Sequence, residues 1–284
     1  MDIGIGLPTT IQGTQGATIV AWAKRADARG FSTLGVIDRV VYDNYEPLAA
    51  LAAAAAVTTR IRLTTSILLA PLRTNHELFA KQAASIDRLS DGRLVLGLAV
   101  GGREDDYSES GLDFHRRGAE LDALLERAAS LWREPTAAIG PKPARAGGPE
   151  LVFGGSSPPA FRRVAQYGNG WIAGGGGVET FREGAALAQE AWSAAGREGS
   201  PRLLALSYFA LGDGARAAAD SALKHYYAFL GPYADQIAAS ASLSAREVAD
   251  TVEGFAAAGC DELILFPCSA DEAQIELAAD AAAL

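Results

Sequence analysis

RLTTSILLAPLRTNHELFAKQAASIDRLSDGRLVLGLAV, Arg62 to Val100, carries one complete unit of alternating structure. Its first nine residues, 62–70, are apolar and β-branched and read as a strand. From His76 to Leu89 the apolar residues Leu78, Phe79, Ala83, Ile86 and Leu89 recur at helical spacing. Ser90-Asp91-Gly92 closes that helix, and a second apolar run follows at 93–100. Strand, helix, strand is the repeating unit of a parallel sheet, with a right-handed crossover.

The same alternation extends in both directions. Before it come IGIGL (3–7), a helix over 17–29 closed by Gly30, TLGVI (33–37) and a helix over 46–57. After it come a polar loop (101–115), an amphipathic helix (116–132) and a Pro- and Gly-rich connection (133–150). ELVFG (150–154), a helix over 158–167, GWIAG (170–174) and a helix over 179–195 continue the pattern. RLLALSYFAL (202–211), two helices around LGPYADQ (230–236), DELILFP (261–267) and a helix over 271–284 complete it. Eight apolar runs, each followed by a helical pattern, predict the α/β class and a (β/α)8 TIM barrel, one domain over 1–284. An open doubly wound sheet also alternates in this way, but two halves meeting at a switch point are not visible.

Composition narrows the function classes. Of 284 residues, 49% are apolar and 21% charged, as in a soluble globular protein with a substantial core. The formal charge of −9 and the lack of Lys/Arg clusters argue against a nucleic-acid partner. Two cysteines, Cys260 and Cys268, make no disulfide framework and fit a reducing cytoplasm. MDIGIGLPTT lacks the features of a signal peptide, and the alanine-rich 48–57 is too short to cross a membrane. The expectation is a cytoplasmic protein without a membrane partner.

In a barrel of this kind the site lies where the strands end. The fifth run ends in Gly154-Gly155-Ser156-Ser157, with Ser157 at an N-cap position and Pro158 at N1. Residues without bulk let a ligand approach the backbone, and exposed N–H groups with serine hydroxyls make an anion site. The sixth run ends in four glycines beginning Gly174-Gly175. Either loop alone also reads as a tight turn; adjacent strand ends point to one phosphate lying between them.

The segment TSILLAPLRTNHELFAKQAASIDRLSDGRLVLGLAVGGREDDYSESG (65–111) resembles the central signature of the bacterial luciferase-like monooxygenase superfamily, whose members use flavin or F420. LVFGGSSPPAFRRVAQYGNGW (151–171) is similar to its fifth-strand segment, especially in the alkanesulfonate monooxygenase branch. The resemblance implies reduced FMN, or F420, at the C-terminal face of the barrel, and a homodimer. It also implies a non-prolyl cis peptide at Ser66–Ile67, in a bulge supporting the flavin ring. Three departures stand out. Asp38–Arg39 falls where many members carry a histidine, Gly102 where F420-dependent dehydrogenases often place a glutamate, and the lid insertion is shortened around 133–150.

Among side chains, Arg39 reads as a group for an anionic substrate or the flavin N1–C2 carbonyl region, or as a salt bridge to Asp43 or Glu46. The same choice applies to Arg73. His76 reads as a proton carrier or a plain helix-start residue, and Arg103 as a contact to the flavin phosphate. REDDY (103–107) offers acids to a hard metal or to solvent, and the three histidines lack zinc spacing, so no metal is expected. The combined reading is a flavin-dependent monooxygenase using reduced FMN, supplied by a separate flavin reductase, and O2 on a small organic substrate. An F420-dependent hydride-transferring reductase and a non-catalytic flavin-binding protein are the alternatives.

Overall fold

A computed structural model describes residues 1–284. Its parallel strands are β1 (Asp2–Gly6), β2 (Thr33–Val36), β3 (Arg62–Thr65), β4 (Leu68–Leu69), β5 (Leu94–Ala99), β6 (Glu150–Gly154), β7 (Gly170–Ala173), β8 (Arg202–Phe209) and β9 (Glu262–Pro267). The order β3-β2-β1-β9-β8-β7-β6-β5-β4 closes on itself through β3–β5 pairing. β3 and β4 are two halves of one barrel strand, so the barrel has the expected eight. Helices surround it: α1 (Gly16–Arg29), α2 (Pro47–Ala55), α3 (His76–Leu89), α4 (Glu104–Glu109), α5 (Arg117–Arg133), α6 (Pro158–Tyr167), α7 (Gly177–Ala194), α8 (Ala215–Tyr226), α9 (Tyr233–Ala239), α10 (Ala245–Ala257) and α11 (Ala273–Ala281).

Each strand is buried twice, which is why the runs are apolar on successive residues. One set of side chains, including Val95, Val152, Ile172, Leu204, Ile264 and Phe266, fills the barrel interior. The alternate set, including Leu94, Leu96, Leu98 and Leu203, packs outward with the helices. Phe266 reaches so far across the interior that a Cβ on Gly6 would lie 2.3 Å from its ring and one on Gly35 2.8 Å. Local signals bound the helices, with Gly30 closing α1 as expected. Gly30 is left-handed (φ 97°) and donates to Ala26 O, and Asn75 caps α3 by accepting from Leu78 N.

Two segments differ from the sequence reading. The loop 101–115 contains α4, and 213–258 holds three helices rather than two, α9 arising within LGPYADQ. The interruption of the third barrel strand positions the site. Thr64 pairs with Val95 and Leu68 with Leu98, so four steps along this strand face three along β5. The extra residue makes a bulge, a device that re-aims side chains. The Ser66–Ile67 peptide within it is cis.

Candidate functional site

A cavity of about 260 Å³ opens at the C-terminal mouth of the barrel. Residues from beyond β2 (Ile37, Asp38, Arg39), the bulge (Ser66, Ile67) and the end of β5 (Gly102, Arg103) line it. Asp106 of α4, Gly174 beyond β7, Leu206 and Tyr208 of β8, and Tyr226, Tyr227 and Phe229 around the end of α8 complete the wall.

Arg39 is the centre of its electrostatics. Its side chain is 4% exposed, and Nε donates to Asp106 Oδ2 at 2.9 Å. Nη2 donates to Val41 O at 2.9 Å. The partner is therefore Asp106, not Asp43 or Glu46. Asp106 is itself fully buried, and its other oxygen accepts from Val40 N (2.9 Å) and Val41 N (2.7 Å). One carboxylate thus holds both the guanidinium and its loop. The guanidinium carbon lies 5.7, 5.5 and 5.7 Å from the rings of Tyr42, Tyr226 and Phe229, within cation–π range. The Arg103 guanidinium carbon lies 4.0 Å from the centre of the Phe229 ring, and Asp105 engages that guanidinium through a two-pronged pair.

Asp38 accepts from Leu69 N at 2.9 Å and pairs with Arg73 at 3.0 Å, and Arg73 also reaches Glu46 at 3.1 Å. Burial raises the Asp38 pKa above its ordinary value, against the pull of Arg73 and the Leu69 N–H. Tyr208 and Tyr227 share a 2.7 Å hydroxyl contact, and burial raises both phenols, so the cavity wall is neutral there. Cys268 lies behind this wall, its thiol pushed up to about 12 by burial and inert at neutral pH.

Only two buried side-chain polar atoms of the lining lack a partner: Arg39 Nη1 and Ser66 Oγ. Two lining glycines, Gly102 and Gly174, have nothing within 4 Å of a built Cβ and no positive φ. Neither the chain's packing nor its backbone requires glycine there; the space is left to something else.

The small-residue loops flank this cavity without enclosing it. Gly154 leans on the bulge, its built Cβ 2.5 Å from Ile67 Cδ1, and Gly155 (φ 109°) accepts through its carbonyl from Trp171 Nε1 at 3.0 Å. Ser156 and Ser157 are exposed. Ser157 stands at the N-cap of α6, but its hydroxyl makes no capping bond. Pro158 and Pro159 remove two first-turn N–H groups, so the free donors here come from Gly155–Ser157 rather than from the helix. The N–H groups from Gly174 to Val178, by contrast, include the open first turn of α7 and donate to nothing in the chain. Gly175 is left-handed (φ 114°).

His76 opens α3, half-buried, outside the cavity lining. Arg39, Ser66, Ile67, Arg103 and Gly174 are brought together; Gly154, Gly155, Ser156, Ser157 and Gly175 lie on adjoining strand-end loops. His225 bonds Tyr42 OH at 2.9 Å on the rim, and no group of three or more His, Cys, Asp or Glu side chains is arranged for a metal. Sequence reasoning missed Tyr208 and Phe229 as site residues and read Asp106 only as an acid for a metal or for solvent, not as the partner of Arg39. The aromatic run YYAFLGPY (226–233), inside an otherwise alanine-rich segment, was the available signal.

This arrangement fits a flat redox ring with an anionic tail. A wall free of side chains at Gly102 and Gly174 faces the cavity, and free backbone N–H groups lie beyond the ends of β6 and β7. The family profile of luciferase-like monooxygenases matches residues 1–259. The chain belongs to the luciferase-like monooxygenase family. An uncharacterised family relative in Mycobacterium tuberculosis is 34% identical over 173 residues, 57% of this chain and 61% of its own length. The chain thus spans about three fifths of the curated relatives it matches first. Among solved structures, monooxygenase RslO1 of Streptomyces bottropensis superposes with a TM-score of 0.79 at 21% identity, over 99% of this chain and 98% of its own. An F420-dependent secondary alcohol dehydrogenase superposes with a TM-score of 0.80 at 17% identity, over the same 99% and 98%. Both superpositions show the shared barrel fold, and no helix here is long and apolar enough to cross a membrane.

Proposed function

We propose that this chain is a single-domain cytoplasmic monooxygenase that takes reduced FMN from a separate flavin reductase, works as a homodimer and oxidises a small organic substrate with O2. When bound, reduced FMN supplies the two electrons that leave one oxygen atom in the substrate and the other in water. The observation that carries the reading is the makeup of the cavity: an apolar and aromatic wall in which every carboxylate is already paired with an arginine. Such a wall offers little acid–base chemistry of its own and suits a reaction whose hard step belongs to the cofactor.

The chain's residues then bind, orient and exclude water. Ser66, Ile67, Gly102 and Gly174 would receive the ring, and the N–H groups of Gly155–Ser157 and Gly174–Val178 the phosphate. Leu206, Tyr226, Tyr227 and Phe229 keep the site dry, which strengthens every electrostatic contact inside it. Asp106 holds the Arg39 guanidinium in place at the cavity wall.

Titration with FMN, reduced FMN and F420, followed by fluorescence, tests the assignment. Reduced FMN is expected to bind at least as tightly as FMN and more tightly than F420. Tighter F420 binding would overturn the proposal in favour of hydride transfer.

A further inference from the structure

Tyr226, the last residue of α8, carries a phenol proton for which the chain provides no acceptor. Its ring is held edge-on by Tyr227 and Tyr42, at 4.8 and 5.0 Å between ring centres. A phenol donates one hydrogen bond and has two acceptor sites. Tyr208 and Tyr227 satisfy each other at 2.7 Å, and Tyr42 bonds His225, but nothing accepts from Tyr226. Arg39 lies against the phenol as a donor, its guanidinium carbon 5.5 Å from the ring centre, and a guanidinium has no acceptor to offer. Asp38, whose charge also acts on Tyr226, is engaged through Oδ2 by Leu69 N and Arg73. Arg39 Nη1 and Ser66 Oγ are sealed from solvent; the Tyr226 oxygen keeps accessible surface, and the residue lines the cavity.

Topology separates this hydroxyl from the cofactor. α8 follows β8, the strand that stands across the ring of eight from the bulge. With the bulge, Gly102 and Gly174 receiving the flavin ring, Tyr226 is left to the substrate. Burial raises the phenol's pKa well above its ordinary value, so it remains a donor and does not act as an acid. A guanidinium beside the phenol oxygen polarises the O–H bond and strengthens that donor. A substrate without an acceptor would leave this proton unpaired, and sites built to hydrogen-bond a group reject analogues that lack it. We infer that Tyr226 selects the substrate by donating a hydrogen bond from its phenol to an oxygen atom of the bound compound, so that oxygen-bearing compounds such as ketones are taken and hydrocarbons of the same shape refused. This rests on the reading above that the cavity is the reaction site.

Acetophenone and α-methylstyrene share a shape, and only the ketone accepts a hydrogen bond. Their binding is measured by calorimetry, with and without saturating FMN, in the wild type and in Tyr226→Phe, which keeps the ring and its edge contacts. The ketone-to-alkene affinity ratio should fall about tenfold in the variant, through weaker ketone binding. A ratio unchanged within about twofold would overturn the inference. So would displacement of the ketone by FMN, or an unchanged ratio with weakened FMN, which would assign the phenol to the cofactor. In the wild type alone, the carbonyl carbon resonance of bound acetophenone should move downfield, as it does on hydrogen bonding, and move back in Tyr226→Phe; an unshifted wild-type resonance sinks the assignment however the variant folds. The wild-type ratio should stay level from about pH 6 to about pH 9, where a phenol keeps its proton. A ratio falling through that range would make a protonated Asp38 the donor instead. A protein that shows the loss in Tyr226→Phe yet binds neither FMN nor F420 keeps this inference and loses the flavin reading; one that binds FMN and shows no loss does the reverse.

Discussion

Replacing Asp106 by alanine removes the clamp on which the cavity's charge depends. The carboxylate accepts three hydrogen bonds, from Arg39 Nε, Val40 N and Val41 N. Alanine leaves a buried guanidinium without its counter-ion, a change that costs about 3–5 kcal/mol. Asparagine can still offer an oxygen to Val40 and Val41 and loses mainly the charged bond to Arg39, about 1.5–3 kcal/mol. In a chain of this size the melting temperature should fall by roughly 10 °C for alanine and roughly 5 °C for asparagine. Amide exchange gives the sharper assay. The side chains of Val40 and Val41 are exposed, at 46% and 36%, so apolar burial does little for their N–H groups and Asp106 is their only acceptor. In Asp106→Ala both amides should exchange at least about 100-fold faster, and in Asp106→Asn within about tenfold of the wild-type rate. Wild-type exchange rates at both positions in the alanine variant would refute the clamp.

Other perturbations separate stability from binding. Glu262, fully buried at the opposite end of the barrel, accepts from Ser32, Arg62 and Arg202. Glu262→Ala should cost about 3–5 kcal/mol in urea unfolding, with FMN affinity of the folded protein unchanged. Burial pushes both Cys260 and Cys268 from 9.0 to about 12. Above pH 9 the unfolded thiols lose protons that the folded ones keep, so stability should fall with rising pH between 9 and 12. A Cys260→Ala/Cys268→Ala variant should show a shallower fall between pH 9 and 10 in urea midpoints; an equal slope would contradict the burial argument. Gly174→Val meets no neighbour within 4 Å of its Cβ, so it should leave the melting temperature nearly unaltered while weakening FMN binding at least tenfold. Ser156→Asp, on an exposed loop, should weaken FMN more than riboflavin if the phosphate lies there, which parallel fluorescence titrations would reveal.

The strands and most helices were legible because their signals are local. A strand pressed between the barrel interior and a helix layer is apolar on successive residues. Asn75 and Gly30 mark helix ends through contacts only three or four residues away. The prediction of α3 at 76–89 therefore coincides with the structure. The loop 101–115 could not be read in the same way. α4 is built from acidic residues whose order comes from Arg39, 67 positions earlier, and from two backbone N–H groups beside it.

The amino-acid order alone thus determined that the chain forms eight strand–helix units and that glycine-rich turns end two of them. It also carried the resemblance that names the family. Tertiary structure decided how the charged groups are paired. Arg39, Arg73 and Arg103 look alike in the sequence, and Arg103 finds its carboxylates two and three residues away, but only ring closure sets Asp106 against Arg39 and Asp38 against Arg73. Pairing of that kind depends on distances across the barrel mouth, which no local pattern of residues encodes.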